Sequence, residues 1–148
     1  VNEGYIFTAD GSRRIGYRKQ WDESSAAIGF VFFHPFWWSD PVGSRECEAK
    51  ARNLGGGGVD VLFLDPHFKS GDLCDEVRVK AIEQLEQCQP VIACWWGKDG
   101  SPRTAEQYLE LVRDSGYRNT LQHFGVDKKG RPKRFNAIAR TKPIPWRL

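Results

Sequence analysis

Three stretches of this chain, 27–33, 58–64 and 91–94, are apolar at consecutive positions but for Asp60, which severely limits the folds open to it. A strand with one wet face alternates polar and apolar residues. A run such as Ile28-Gly29-Phe30-Val31-Phe32-Phe33 instead needs cover on both sides, as in a parallel sheet flanked by helices. The first two runs stop at Pro35 and Pro66. Proline has no amide hydrogen and disfavours helix for the residue before it, so the chain must turn out at these points. A less apolar run, 119–123, is a fourth strand candidate.

The segments between these runs read as helices. Ser44 is placed to cap a helix reaching about Leu54, with Glu46 and Glu48 in its first turn and Lys50 and Arg52 in its last. Asp72 is the expected cap of a second helix. Its buried stripe would be Val77, Ala81, Ile82, Leu85 and Cys88, ended by Pro90. Ser101-Pro102 opens a third, with Ala105, Tyr108, Leu109 and Val112 facing inward and Gly116 closing it. Ahead of all this, 5–8 and 14–18 flank an Asp10-Gly11 turn and predict an antiparallel hairpin. The order is hairpin, then β-α-β-α-β-α-β. It predicts one α/β domain over 1–148, three-layered, with a mostly parallel central sheet of about four core strands and right-handed crossovers.

Glycines 55–58 follow a helix and lead into a strand, the reverse of a P-loop, and no Gly-Lys-Ser/Thr comes after them. They read as a helix cap and turn. No dinucleotide-binding glycine motif or serine-centred elbow is present, so no cofactor is expected. The cysteines, Cys47, Cys74, Cys88 and Cys94, never form a C-x-x-C pair and read as free thiols. No apolar run reaches eighteen residues and no signal-peptide layout opens the sequence, so a cytoplasmic protein without a membrane partner is expected.

The net charge of +3 is unevenly spread. The segment 126–148 carries Lys128, Lys129, Arg131, Lys133, Arg134, Arg140, Lys142 and Arg147 against Asp127 alone. Such a cluster suits phosphates, with an affinity that falls steeply with salt. The three histidines, His34, His67 and His123, fall at or near the carboxyl ends of strand runs, and the 91–94 run ends in Trp95-Trp96. In an open parallel sheet those ends share a crevice where side chains can meet a ligand.

Trp21-Asp22, Phe33-His34-Pro35-Phe36, Ser39-Asp40-Pro41, Arg45-Glu46-Cys47, Gly57-Gly58-Val59, Cys94-Trp95-Trp96-Gly97 and Pro143-Ile144-Pro145-Trp146 form an ordered series. That series resembles the bacterial and phage domain-of-unknown-function family numbered sixteen forty-three. The family's strand-end asparagine is replaced here by His34, with Phe36-Trp37-Trp38 after it, and its late histidine-proline-leucine by Arg134-Phe135-Asn136. More loosely, the chain is similar to the uracil-DNA glycosylase superfamily, which implies a parallel α/β fold and hydrolysis of a base–sugar bond. On that resemblance the catalytic candidates are His34 to orient water, Asp65 as general base or stabiliser of positive charge on the sugar, and His67. Phe36, Trp37, Trp38 and Trp96 would stack on an extruded base, and His123 or Asn136 would hold it. Lys128, Lys129, Arg131, Lys133 and Arg134 would grip the backbone of DNA or bind a nucleotide.

Two other function classes fit the same residues. One is a binding module without catalysis, for nucleic acid or a protein partner. The other is a metalloenzyme using His34, His67, His123 and Asp65, although their spacing matches no known ligand motif.

Overall fold

The computed structural model describes residues 3–33, 42–65, 72–95, 102–116, 121–133 and 142–146. Their elements are β1 (Glu3–Phe7), β2 (Arg14–Gln20), β3 (Ala27–Phe32), α1 (Val42–Asn53), β4 (Gly58–Phe63), α2 (Asp75–Gln87), β5 (Cys88–Ala93), α3 (Pro102–Ser115), β6 (Leu121–His123) and β7 (Ile144–Pro145). They form an α/β domain on one seven-stranded mixed sheet, ordered β1-β2-β4-β3-β5-β6-β7. β4, β3, β5 and β6 pair in parallel, and β1, β2 and β7 complete the sheet antiparallel.

β3 shows why consecutive apolar residues are required. Ile28, Phe30 and Phe32 point to the face covered by Cys47 and Ala51 of α1. Ala27, Val31 and Phe33 point to the opposite face, covered by Val77, Ala81 and Leu85 of α2 and by Tyr108 and Val112 of α3. All six residues of β3, and all six of β4, are buried. Burying one large apolar side chain contributes roughly 1.5–3 kcal/mol, so these two strands anchor the domain.

The expected hairpin exists but is no separate addition. β2 pairs antiparallel with β4, from Gly16 opposite Leu62 to Gln20 opposite Gly58, which makes the hairpin the outer part of the same sheet. β7 was not foreseen in the basic segment; it pairs with β6 through His123 and Ile144. Glycines 55–58 do serve as cap and turn. Gly55 has φ +81° and donates to Arg52 O at 3.0 Å, and a Cβ on Gly57 would run into the carbonyls of Asp22 and Ser25.

Several helix details differ from expectation. α1 starts at Val42, so Ser44 lies inside its first turn rather than capping it. α2 starts at Asp75 with Cys74 at its N-cap position; Asp72 instead ties the start of α2 to α3, pairing with Arg103 Nε at 2.6 Å and accepting from Gln107 Nε2 at 3.0 Å. α2 ends at Gln87, and Cys88 already begins β5. Pro90 sits where the register between β3 and β5 shifts, which a residue lacking an amide hydrogen tolerates. Ile82 is exposed, while Lys80 and Gln84 of the same helix are buried.

That inversion has an electrostatic cause. Asp60 of β4 is fully buried, and Lys80 Nζ reaches its Oδ2 at 3.1 Å, with Arg18 Nε 3.8 Å away. Gln84 Nε2 donates to the carbonyls of Asp60 at 3.0 Å and Phe30 at 3.2 Å. The amide fits because Gly29, opposite Asp60 on β3, has no side chain; a Cβ there would come within 3.2 Å of Gln84 Cγ and Cδ. Burial pushes the Asp60 carboxyl upward, and Lys80 and Arg18 pull it back.

Lys80→Met should leave Asp60 with a buried, poorly compensated charge and destabilise the protein by about 3–5 kcal/mol in urea unfolding. The double variant Asp60→Leu, Lys80→Met should regain most of that loss, because no buried charge is then left without its partner.

Candidate functional site

The parallel strand order reverses between β3 and β5. The chain leaves β3 toward α1 on one face and leaves β5 toward α3 on the other, which opens a crevice at their carboxyl ends. The ladder continues a little past the strands: Asp65 N donates to Phe33 O at 2.8 Å and Cys94 N to Val31 O at 2.9 Å. Phe33, Asp65, Trp95 and His123 therefore occupy fixed positions along this rim.

The aromatic residues gather on the α3 face. Trp95 is buried, with its ring centroid 5.9 Å from Phe33, 5.5 Å from Tyr108 in an edge contact, and 5.7 Å from Trp146. β7 delivers Trp146: the Trp146 N–H donates to Leu121 O at 2.9 Å and sets the indole edge-on to His123 at 5.9 Å. Above them Pro102, Ala105, Glu106 and Leu109 share one side of α3, as their spacing of three, one and three requires.

A basic turn closes the remaining side. Val126 bridges to Pro132, and Gly130, at φ +77°, donates to Asp127 O at 3.0 Å. Asp127, the lone acid of this segment, shapes it. Its carboxylate accepts from Lys129 N at 2.9 Å, Arg131 N at 3.0 Å and Arg131 Nε at 2.8 Å. These bonds, the backbone one from Arg131 foremost, hold Asp127 below the usual carboxylate range. The result is a hollow of about 270 Å³ walled by Phe33, Trp95, Leu109 and Trp146, with Glu106, Lys129 and Arg131 among its polar groups. That is slightly smaller than typical drug-sized sites of ~300–1,000 Å³ and suits one planar ring system.

Of the residues picked out by sequence, Lys129 and Arg131 line this hollow, and His123 touches it through Trp146. Lys128 and Lys133 are exposed beside it on the same basic turn. Asp65 is buried but belongs elsewhere. It continues the phase of Val59, Val61 and Phe63, which face α1, whereas Leu121, two residues before His123, faces α3. Three strand spacings separate β4 from β6, about 14 Å in all. Asp65 and His123 thus do not share a site. His34, His67, Phe36, Trp37, Trp38, Trp96, Arg134 and Asn136 lie outside the described residues. Among the described residues no three of His, Cys, Asp and Glu stand close enough to hold a metal ion.

Glu106, Leu109 and Phe33 were missed as site residues, and Trp146 counted only as part of a closing motif. Glu106 flanks the apolar stripe of α3, and its meeting with the basic turn is a tertiary contact that no local pattern signals. The four cysteines are free; Cys47, Cys88 and Cys94 are buried, and burial raises their thiol pKa values, which makes them poor nucleophiles. A larger hollow of about 830 Å³, lined by Arg18, Trp21, Glu23 and Gln87 among others, lies at the opposite, amino end of the strands, and none of the described candidate residues lines it. No helix among the described residues is long and apolar enough to cross a membrane.

His123 is held neutral. Burial lowers its pKa from the ordinary 6.5, and its Nδ1 accepts from Gly125 N at 2.9 Å, which a protonated nitrogen cannot do. The unfolded chain takes up this proton first as pH falls, so the contribution is complete above pH 6.5 and is lost as pH drops toward the folded value. The urea midpoint should fall between about pH 7.5 and about pH 5.5, and His123→Gln should shrink that fall.

No family model matches the sequence, and no curated protein matches it.

Proposed function

We propose that the protein binds single-stranded or locally opened nucleic acid, receiving one base in the hollow against Phe33, Trp95 and Trp146 while the basic turn holds the adjoining phosphates. The observation that carries this reading is the contact between an aromatic wall and a cationic rim: Lys129 and Arg131 line the same 270 Å³ hollow as the two indoles. Each base stacked on an aromatic side chain is worth about 1–3 kcal/mol regardless of sequence, and cations along the backbone add a salt-sensitive term. The wall is rigid, since Trp95 is packed against Phe33 and Tyr108 and Trp146 is hydrogen-bonded to β6, so little side-chain entropy is lost on binding.

Hydrolysis of a base–sugar bond is the second reading. It is favoured by the burial of Asp65 at the end of β4, beside the strand that supplies Phe33 to the hollow. A base seated by Phe33 would place its sugar across the end of β3. Asp65 would then take a proton from water attacking the sugar carbon as the base departs with the bonding electrons. Asp65 is not among the residues lining the hollow, which is why binding, rather than catalysis, comes first.

Affinity for a short single-stranded DNA should fall steeply between about 50 and 200 mM salt, and Lys129→Ala should lower the slope of log K against log salt by about 1. Trp146→Ala should cost about 1–3 kcal/mol of affinity in the same titration. Binding that ignores both salt and Trp146 would remove the nucleic-acid reading. If Asp65→Asn abolishes base release from uracil-containing DNA while binding persists, the hydrolase reading holds; wild-type protein that releases no base from uracil-containing or otherwise modified DNA leaves the binding module alone.

A further inference from the structure

We infer that the hollow selects guanine over the other bases, with Glu106 as the residue that decides. The inference rests on the nucleic-acid reading above and names the base class of that same site.

The argument is one of hydrogen-bond inventory. A planar ring lying against the wall of Phe33, Trp95 and Trp146 is satisfied on that face by stacking, and its polar edges must find partners around the rim. Among the described lining residues the charged side chains are Lys129, Arg131 and Glu106. Lysine and arginine can only donate, whereas an ionised glutamate can only accept. Glu106 is therefore the carboxylate acceptor set opposite two donors. A matching ligand needs adjacent N–H groups on one edge and acceptors on another.

Guanine has that arrangement. Its N1–H and N2–H₂ are neighbouring donors that suit the two oxygens of one carboxylate, and its O6 and N7 are acceptors that suit an arginine or lysine. Adenine and cytosine each set an amino group beside a bare ring nitrogen, which would face the carboxylate with a lone pair. Uracil and thymine set their single ring N–H between two carbonyl oxygens, which a carboxylate repels. Hypoxanthine keeps N1–H but lacks the amino group.

The carboxylate is only weakly engaged within the helix. Arg113, two turns along α3, donates to Glu106 Oε1 at 3.1 Å, and both side chains are largely exposed, so the pair orients Glu106 at little energetic cost to exchange. Pro102, Ala105 and Leu109 pack on the hollow from the same side of α3, which fixes the helix face that Glu106 shares.

The test is quenching of the tryptophan fluorescence by the 5′-monophosphates of guanosine, inosine, adenosine, cytidine and uridine at low salt. GMP should bind about tenfold tighter than AMP, CMP or UMP, with IMP between, as expected for one well-formed bidentate contact. Glu106→Ala, an exposed change to a good helix former, should abolish the preference, so that GMP, IMP, AMP, CMP and UMP bind within about twofold of one another. Wild-type binding of all five within about twofold, or an equal loss for all five in Glu106→Ala, would overturn the selectivity and leave the aromatic base pocket standing. Failure of all five to quench would overturn the pocket and the selectivity together.

Discussion

The parallel pairing of β3 with β4 on one side and β5 on the other is the constraint from which the rest of this molecule follows. With neighbours on both edges and helices over both faces, β3 has no solvent-facing side, which is why its residues are apolar at every position. The same pairing forces the chain to leave β3 and β5 on opposite faces, and beside the gap between those departures Phe33 and Trp95 line the hollow. Stability and site placement therefore share one cause. A residue that weakened the packing around β3 would also move the wall of the hollow.

The buried polar group near the amino ends of the strands complements that arrangement. Asp60, Lys80 and Gln84 sit where Gly29 leaves room for an amide above the strands, so α2 can dock on β3 and β4 in only one rotation about its axis. An apolar stripe alone would permit α2 to roll by a residue. A charge pair that must meet inside does not, because any roll would strand Asp60 in a medium of low dielectric. The cost is that Ile82 is turned outward, where an apolar residue gains little.

The elements that were legible in the sequence are those set by local or one-dimensional patterns. β3, β4, the three helices and the hairpin turn at Asp10-Gly11 all have periodicity or turn chemistry that needs no knowledge of partners. What could not be read depends on contacts distant in the chain. Ser44 and Asp72 are sound capping residues by type, but α1 begins two residues earlier, and Asp72 finds stronger partners in Arg103 and Gln107 of α3. Lys80 and Gln84 stand outside the apolar stripe that the periodicity of α2 marks, because their burial depends on Asp60, some twenty positions earlier. The joining of β2 to β4 and of β7 to β6 is likewise a pairing of remote segments, and no spacing rule announces it.

The site divides in the same way. The basic cluster was visible as a charge imbalance, yet its shape is imposed by Asp127, the acid that interrupts it, whose carboxylate folds the turn and presents Lys129 and Arg131 to the aromatic wall. Trp146 reaches that wall only because β7 adds to β6, so a tryptophan near the end of the sequence becomes a neighbour of one fifty positions earlier. Of the histidines and the aspartate expected together at the strand ends, the two that are described are kept apart by the two-residue period of a strand: Asp65 follows the α1 phase and His123 the α3 phase. A ligand that engaged both the hollow and Asp65 would have to cross the rim between β3 and β5. The reversal of strand order sends α1 and α3 to opposite faces of the sheet, so the hollow and Asp65 lie on either side of the end of β3.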